Sequence, residues 1–328
     1  MKAIKTLAMA ALATAVFASC SSEDELAQSN YPMDNVVRIM TSVDGMNTRA
    51  SYGNSTDKLS SFGFCINNAN STTYTYDNVK VTKDGSNWNP ATQMLWQNLT
   101  TAVDILAYAP YQETTEDATG KVKIFGKTDY AFSVQADQSD AEDYSSDLIV
   151  YKKTGFKPES DLNTNQAVDV SFTHLLSQLN LIIELRDQFN TNNNTVTKGF
   201  VTDVKVNGTI ISSKVDFSAS PISVQVDGTQ TAAITPETTG FTPAENATAH
   251  AVFNYSAIVI PQTVAAGNFS ISFKVNNTEY IWTATDAVTF ESGKKHELHL
   301  LAGKDVVQGG AISAKPWGDE TITEKETD

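Results

Sequence analysis

The fold class is decided by residues 272–282, which read Ser272-Phe273-Lys274-Val275-Asn276-Asn277-Thr278-Glu279-Tyr280-Ile281-Trp282. Two runs of alternating polar and apolar residues flank an Asn-Asn pair. Alternation with a period of two is typical of a β-strand that is buried on one face. Asparagine tolerates the positive φ that a tight hairpin turn requires. The stretch therefore predicts two antiparallel strands joined by a two-residue turn.

The same pattern recurs along the chain. Short segments rich in Val, Ile, Thr, Tyr and Phe are separated by clusters of Asn, Asp, Gly and Ser, and few segments have a helical pattern. About fifteen such segments exceed what a single open sheet usually carries. We therefore predict an all-β protein with two β-sandwich domains in tandem. The polar stretch 157–165 contains Pro158 and sets the predicted boundary near residue 160.

The N-terminal residues predict export and lipidation. Lys2 and Lys5 precede an apolar run, residues 7–17, which is too short to span a bilayer and has the length of a signal-peptide core. Cys20 follows small residues at the expected cleavage point. This arrangement predicts a lipoprotein whose cysteine carries acyl chains such as palmitate. The alternative is an ordinary secretory signal in which Cys20 has no special role.

The residues after Cys20 resemble the acidic tag that directs lipoproteins of Bacteroidetes to the outer face of the outer membrane. They are Ser21, Ser22, Glu23, Asp24 and Glu25. The sequence contains no second apolar run of membrane-spanning length. We therefore expect a surface-exposed lipoprotein of the cell outer membrane.

The composition disfavours several classes of partner. The formal net charge is −15 over 328 residues, and removal of Lys2 and Lys5 with the signal peptide lowers it by two, to −17. Such an acidic chain lacks the positive charge that neutralises phosphates, so no nucleic-acid partner is expected. Once Cys20 is lipidated, Cys65 is the only cysteine left and no intramolecular disulfide can form. Stability must then come from a packed core.

No motif for catalysis or for a cofactor is present. Phosphate-binding loops, Gly-x-Ser-x-Gly and Cys-x-x-Cys patterns are missing, so we expect neither enzymatic activity nor a cofactor. His296 and His299 would point to opposite faces of a strand and could not share a metal ion. His174 lies among apolar residues and is predicted to be a hydrogen-bonded structural histidine. The acidic run from Asp137 to Asp147 could hold calcium, but it lacks the spacing of a calcium loop, which favours a solvated loop.

A set of short motifs extends over nearly the whole chain. They are Ala107-Tyr108-Ala109-Pro110-Tyr111, Asp147-Leu148-Ile149-Val150, Val170-Ser171-Phe172-Thr173-His174-Leu175-Leu176-Ser177-Gln178-Leu179, Val259-Ile260-Pro261-Gln262, Phe290-Glu291-Ser292-Gly293-Lys294-Lys295-His296-Glu297-Leu298 and Ile312…Trp317. In this order, and after a lipoprotein-like start, they resemble the fimbrillin family of Bacteroidetes, whose members are subunits of type V pili. The resemblance implies two transthyretin-like, Greek-key β-sandwich domains and a structural or adhesive role.

The resemblance also implies an assembly mechanism. In fimbrillins an Arg-specific protease removes an N-terminal strand after export, and a strand of another subunit then occupies the vacated groove. The matching cut here is Arg49-Ala50. Upstream of it, residues 36–43 alternate and form one largely apolar face, as expected of a removable edge strand. The residues on that face are Val37, Ile39, Thr41 and Val43. The alternative is an ordinary first strand followed by a linker arginine.

The predicted organisation has five segments. They are a lipoprotein signal peptide (1–19), a lipidated segment with the removable strand (20–49), an N-terminal β-sandwich (50–160), a C-terminal β-sandwich (161–303) and a tail (304–328). The tail is a possible donor strand, although Pro316 interrupts pairing.

The expected partners follow from this organisation. They are other fimbrial subunits in a homo- or heteropolymer, an Arg-specific protease, and the outer membrane through the lipid anchor before cleavage. The alternative function is a permanently anchored glycan-binding lipoprotein. Its binding element would be Trp88, as an exposed platform for a sugar ring, or the acidic loop formed by residues 137–147.

Overall fold

A computed structural model describes residues 30–44, 56–113, 116–117, 120–121, 123–190 and 196–317. The predicted all-β class is confirmed. The helical elements in the described ranges are a four-residue helix, α1 (Pro158–Asp161), and a 3-10 turn (Asp187–Phe189). Within these ranges no helix has the length and apolar character needed to cross a membrane.

Twenty-three strands are described. In chain order they are β1 (Arg38–Asp44), β2 (Ser61–Asn67), β3 (Tyr76–Asp84), β4 (Asn87–Pro90), β5 (Val103–Ala109), β6 (Glu116–Asp117), β7 (Gly120–Lys121), β8 (Tyr130–Ser133), β9 (Ile149–Phe156), β10 (Ala167–His174), β11 (Ser177–Leu185), β12 (Val201–Asn207), β13 (Ser212–Asp216), β14 (Ser223–Val226), β15 (Glu237–Thr242), β16 (Ala251–Val259), β17 (Gln262–Val264), β18 (Ser270–Val275), β19 (Thr278–Thr283), β20 (Val288–Phe290), β21 (Lys294–Ala302), β22 (Val307–Gly309) and β23 (Ser313–Pro316).

The first large sheet has seven strands in the order β1-β10-β9-β5-β2-β3-β4. β1 runs parallel to β10, and the other neighbours are antiparallel. Backbone hydrogen bonds from Val37 to Met94 (3.0 Å) and from Trp96 to Asn35 (2.8 Å) join the segment before β1 to the segment after β4. The two edges of the sheet are thereby drawn towards each other around one apolar core.

The second large sheet has the order β15-β16-β11-β21-β22, and β23 also pairs with β21. β11 and β21 are parallel, whereas the outer pairs are antiparallel. The smaller sheets of the described residues are β12-β18-β19, β14-β13-β8, β17-β20 and β6-β7. A second and larger apolar core includes residues of β8, β11, β16, β18 and β21.

The predicted hairpin at residues 272–282 is confirmed. β18 and β19 pair antiparallel, and the turn residues Asn276 and Asn277 have φ values of 47° and 68°. Sheet pairing crosses residue 160 in both directions, because β10 joins the first large sheet and β8 pairs with β13. The division into tandem domains at that residue stays a prediction.

Candidate functional site: the seat of the first strand

The predicted processing residues lie outside the described residues. They are Cys20, Ser21, Ser22, Glu23, Asp24, Glu25, Arg49 and Ala50. Lipidation, surface export and cleavage at these positions stay predictions. The part of the predicted site that the structure describes is β1 and the groove in which it lies.

β1 occupies the edge of the seven-stranded sheet with an unbroken register. Seven residue pairs join it to β10, from Arg38 opposite Ala167 to Asp44 opposite Thr173. Among the described residues, β10 is the only strand that pairs with β1. The opposite edge of β1 is therefore unpaired within the described part of the chain, an arrangement that allows an edge strand to be exchanged.

Alternate side chains of β1 and the residue before it point into the core. Val37, Ile39 and Val43 are only 2%, 7% and 5% exposed and share a core with Phe62 and Phe172. This burial follows from the strand period, since residues two apart lie on one face. One residue of this face, Thr41, is less buried than the others. Thr41 is half-buried, with a hydroxyl that has no hydrogen-bond partner among the described residues, and Met40, on the other face, is 43% exposed.

The residues before β1 also make polar contacts with their surroundings. Asn30 Nδ2 donates to the Leu162 carbonyl at 3.1 Å, and an exposed salt bridge of 2.6 Å joins Arg38 to Asp34. The hydrogen bond from the Arg38 guanidinium lowers the pKa of the Asp34 carboxyl. Exposed ion pairs contribute little to stability. The backbone ladder to β10 and the apolar face of β1 therefore provide most of the attachment.

The burial of three side chains sets the scale of that attachment. Each Val or Ile side chain contributes about 1.5–3 kcal/mol on burial, so Val37, Ile39 and Val43 together contribute at most about 5–9 kcal/mol. This is comparable to the net stability of a whole domain. β1 should therefore remain bound even where the chain behind it is cut.

A groove of about 720 Å³ lies between β1 and β4. Its lining includes residues 36–40 on one side and residues 86–90 on the other. Trp88 contributes to the β4 side, where its ring packs edge-on against Phe62 at 5.0 Å and lies 5.8 Å from the Lys83 ammonium. Trp88 is half-buried, unlike the exposed platform that the sequence suggested. The groove gives access to the unpaired edge of β1.

The C-terminal segment, residues 304–317, lies at the edge of the other large sheet. Both of its strands pair with β21: β22 lies opposite residues 300–302, and β23 lies opposite residues 294–297. Val306 is 51% exposed, and most residues of the segment are exposed or half-buried. At its end Trp317 is 4% exposed and stacks on the His174 ring, with centroids 4.0 Å apart and planes 4° apart.

His174 is a buried, hydrogen-bonded histidine, as predicted, but its partner was not foreseen. Nδ1 lies 2.9 Å from Oδ1 of Asp147, and the two side chains are 1% and 0% exposed. Because a carboxylate oxygen only accepts, Nδ1 carries the proton. The expectation that Asp147 belongs to a solvated acidic loop is wrong, because Asp147 is buried two residues before β9, and β9 lies beside β10, which ends at His174.

Two further histidines meet a single carboxylate on the outer face of the second large sheet. His299 Nε2 lies 2.6 Å from one oxygen of Glu184, and His250 Nδ1 contacts the other oxygen. The described residues contain no group of three or more His, Cys, Asp or Glu side chains that could hold a metal ion. His296 points to the opposite face, where burial lowers its pKa and Nε2 accepts from the Glu291 amide at 3.2 Å.

Cys65 is a free cysteine that lies in the core. Cys65 is fully buried in β2, and burial raises the pKa of its thiol well above the ordinary value. A buried neutral thiol behaves as a small apolar side chain. Cys65 therefore contributes to packing.

Comparisons with known proteins agree with this architecture. A family model described as fimbrillin-like matches residues 48–317. No curated protein matches the chain.

Three solved structures from Bacteroides resemble the protein. A candidate cell adhesion protein of Bacteroides uniformis is 18% identical, with a TM-score of 0.56 over 87% of this chain and 99% of the other. A candidate cell adhesion protein of Bacteroides ovatus is 12% identical, with a TM-score of 0.61 over 86% and 97%. A fimbrial protein of Bacteroides vulgatus is 18% identical, with a TM-score of 0.51 over 85% and 99%. At these identities the likeness concerns the fold alone.

Proposed function

Because the chain belongs to the fimbrillin-like family, we propose that it is a subunit of a type V fimbria, exported as a surface lipoprotein precursor and assembled by strand exchange after cleavage at Arg49. Family membership supports a fimbrial role, structural or adhesive, at the cell surface. The finer steps are our proposal. The role requires no catalytic activity, and we propose none.

The observation that carries the proposal is how β1 pairs and packs at the edge of the seven-stranded sheet. The strand lies at a sheet edge, has one paired neighbour among the described residues and buries Val37, Ile39 and Val43 in the core. Its removal would expose the backbone edge of β10 and an apolar groove over Phe62 and Phe172. An extended strand from another subunit would restore both the hydrogen bonds and the apolar contacts.

The proposed cut lies shortly after this strand. β1 ends at Asp44, five residues before Arg49. Cleavage there would separate the body of the protein from Cys20 and its lipid anchor, and β1 would then be held by noncovalent contacts alone. The incoming strand would compete best with apolar side chains at the spacing of Val37, Ile39 and Val43, because only alternate residues face the core.

An Arg-specific protease tests the proposal directly. The sequence contains three arginines, of which Arg38 lies in β1 and Arg186 follows β11, with its backbone amide bonded to the Ala302 carbonyl. We expect a fragment that begins at Ala50 and forms polymers resistant to sodium dodecyl sulfate. Arg49→Lys is the matched control, because it keeps the charge and removes the cleavage site. Equal polymerisation of this variant under the same protease would refute the mechanism.

The glycan-binding alternative has no such support. It relied on an exposed Trp88 ring and on the acidic loop, but Trp88 packs against Phe62 and Asp147 is buried with His174. We therefore retain the fimbrial subunit as the proposed function.

A further inference from the structure

The burial of the C-terminal segment is concentrated at one residue and is not spread along the segment. Within the described residues 304–317, Trp317 is the only buried residue. Val307, Ile312 and Lys315 are half-buried, and the other ten residues are exposed. In contrast to β1, the strands of this segment have no alternating buried face.

The backbone attachment of the segment is divided into two short pieces. Three pairs join β22 to residues 300–302 and four pairs join β23 to residues 294–297, with residues 310–312 between them. Pro316 lies opposite Lys294 and has no amide hydrogen to donate. Two-stranded pairing is marginally stable on its own, so these short ladders depend on the side chains of the segment that pack against the core.

The interior surface of the segment is also incompletely packed. A cavity of about 490 Å³ is lined by residues 309–312 and by residues 282–289 of the β19–β20 region. Gly309 crosses close to Trp282, where an added Cβ would clash with the indole. The middle of the segment is therefore joined to the sheet by a hydrogen bond from the Gly310 amide to the His299 carbonyl (3.1 Å) and by the half-buried Ile312, but it contains no fully buried side chain.

Trp317 joins the segment to a platform from the other large sheet. Its indole stacks on the His174 imidazole at 4.0 Å, and Asp147 holds that imidazole from the side at 2.9 Å. His174 ends β10 of the seven-stranded sheet. The nearby chain is fixed by hydrogen bonds from Ser292 Oγ to the Leu175 carbonyl (2.6 Å) and from the Gly293 amide to the Leu176 carbonyl (2.9 Å). The platform is therefore buried and hydrogen-bonded, whereas ten of the fourteen residues 304–317 that lie on it are exposed.

We propose that Trp317 is a latch that fastens residues 304–317 to their own chain through the buried His174–Asp147 pair. Release of this one side chain frees the two short ladders together and converts the segment into an extended strand, while the edge of β21 becomes uncovered. The use of the freed strand as a donor to another subunit rests on the proposed function. The latch itself is a property of the uncleaved monomer.

Hydrogen exchange on the uncleaved full chain tests the latch. In Trp317→Ala, the amides of β22 and β23 should exchange about 100-fold faster or more, while the amides of β11 in the same sheet keep their wild-type protection. Trp317→Phe retains a flat ring on His174 and should restore most of the protection. Unchanged exchange of β22 and β23 in a folded Trp317→Ala chain would overturn the proposal. An equal increase in β11 would also overturn it, since Trp317 would then be an ordinary core residue.

Two further variants separate the latch from general packing. Trp96→Ala removes a buried tryptophan that stacks on Phe156 in the other core, and it should not selectively accelerate exchange in β22 and β23. Asp147→Asn keeps the size of the side chain but replaces the carboxylate that contacts His174 Nδ1 with an amide. It should accelerate exchange in β22 and β23 more than in β11. A selective increase in Trp96→Ala, or none in Asp147→Asn, would refute the latch. Neither measurement requires cleavage or polymerisation, so the latch and strand exchange can fail independently.

Discussion

β1 and the C-terminal segment both lie at the edge of a large sheet, but β1 is buried at Val37, Ile39 and Val43 and the C-terminal segment is buried at Trp317 alone. A strand with distributed burial leaves its groove only when a competitor replaces its contacts one after another. A segment with a single buried contact leaves when that contact opens. The first arrangement suits a strand that protects an acceptor groove. The second suits a strand that must leave its own sheet to act as a donor to another subunit.

The largest expected effect comes from removing the first strand completely. A chain that begins at Ala50 should lose at most about 5–9 kcal/mol of stability in the core shared by β1, β2 and β10. Urea denaturation of this chain, beside the precursor, gives the difference. If the two chains unfold at the same urea concentration, β1 does not stabilise the core and the comparison fails.

A single substitution in β1 sharpens the same point. Ile39→Ala should lower the free energy of unfolding by about 2–5 kcal/mol, because it leaves a cavity in the core that Ile39 shares with Phe62 and Phe172. Its neighbour Met40 is 43% exposed, so Met40→Ala should change the value by less than about 0.5 kcal/mol. Equal effects at the two positions would show that the face of β1 is not fixed as described.

A covalent clamp tests whether the C-terminal segment must leave its own sheet. Glu297 in β21 lies directly opposite Ser313 in β23, so Glu297→Cys combined with Ser313→Cys places two thiols within disulfide reach. We expect no polymerisation of the cleaved, oxidised variant and normal polymerisation after reduction. Polymerisation of the oxidised form would show that the segment is not the donor.

The smallest effect is expected at the exposed part of the same segment. Val306 is 51% exposed, and Val306→Ala should change the stability of the protein by less than about 0.5 kcal/mol. Hydrogen exchange in β22 should remain at the wild-type rate. Accelerated exchange would indicate that the segment is held along its length, as β1 is.

Local patterns in the sequence predicted the elements that bury a full alternating face. β1 and β18 are of this kind, because a period of two is visible over six or more residues. β19 has the same period, but its alternate residues Tyr280 and Trp282 are only half-buried. The short strands β4, β17, β20, β22 and β23 span only three or four residues, too few for a period to be recognised. Their positions depend on the partners that complete their hydrogen bonds.

Contacts between distant parts of the chain could not be predicted in this way. Parallel pairing of β1 with β10 joins residues 129 positions apart, and His174 meets Asp147 across 27 positions. A buried carboxylate in a run of exposed acidic residues has the same local sequence signature as its neighbours. Only the adjacency of β9 and β10 distinguishes Asp147 from the rest.

The central claim is that a strand from another subunit replaces β1, and mass spectrometry under native conditions tests it most directly. After cleavage by an Arg-specific protease, the monomer should retain the peptide that ends at Arg49, and every polymer species should lack one such peptide for each occupied groove. Polymers that still contain the full complement of this peptide would contradict strand exchange, as would monomers that lose it before any polymer forms.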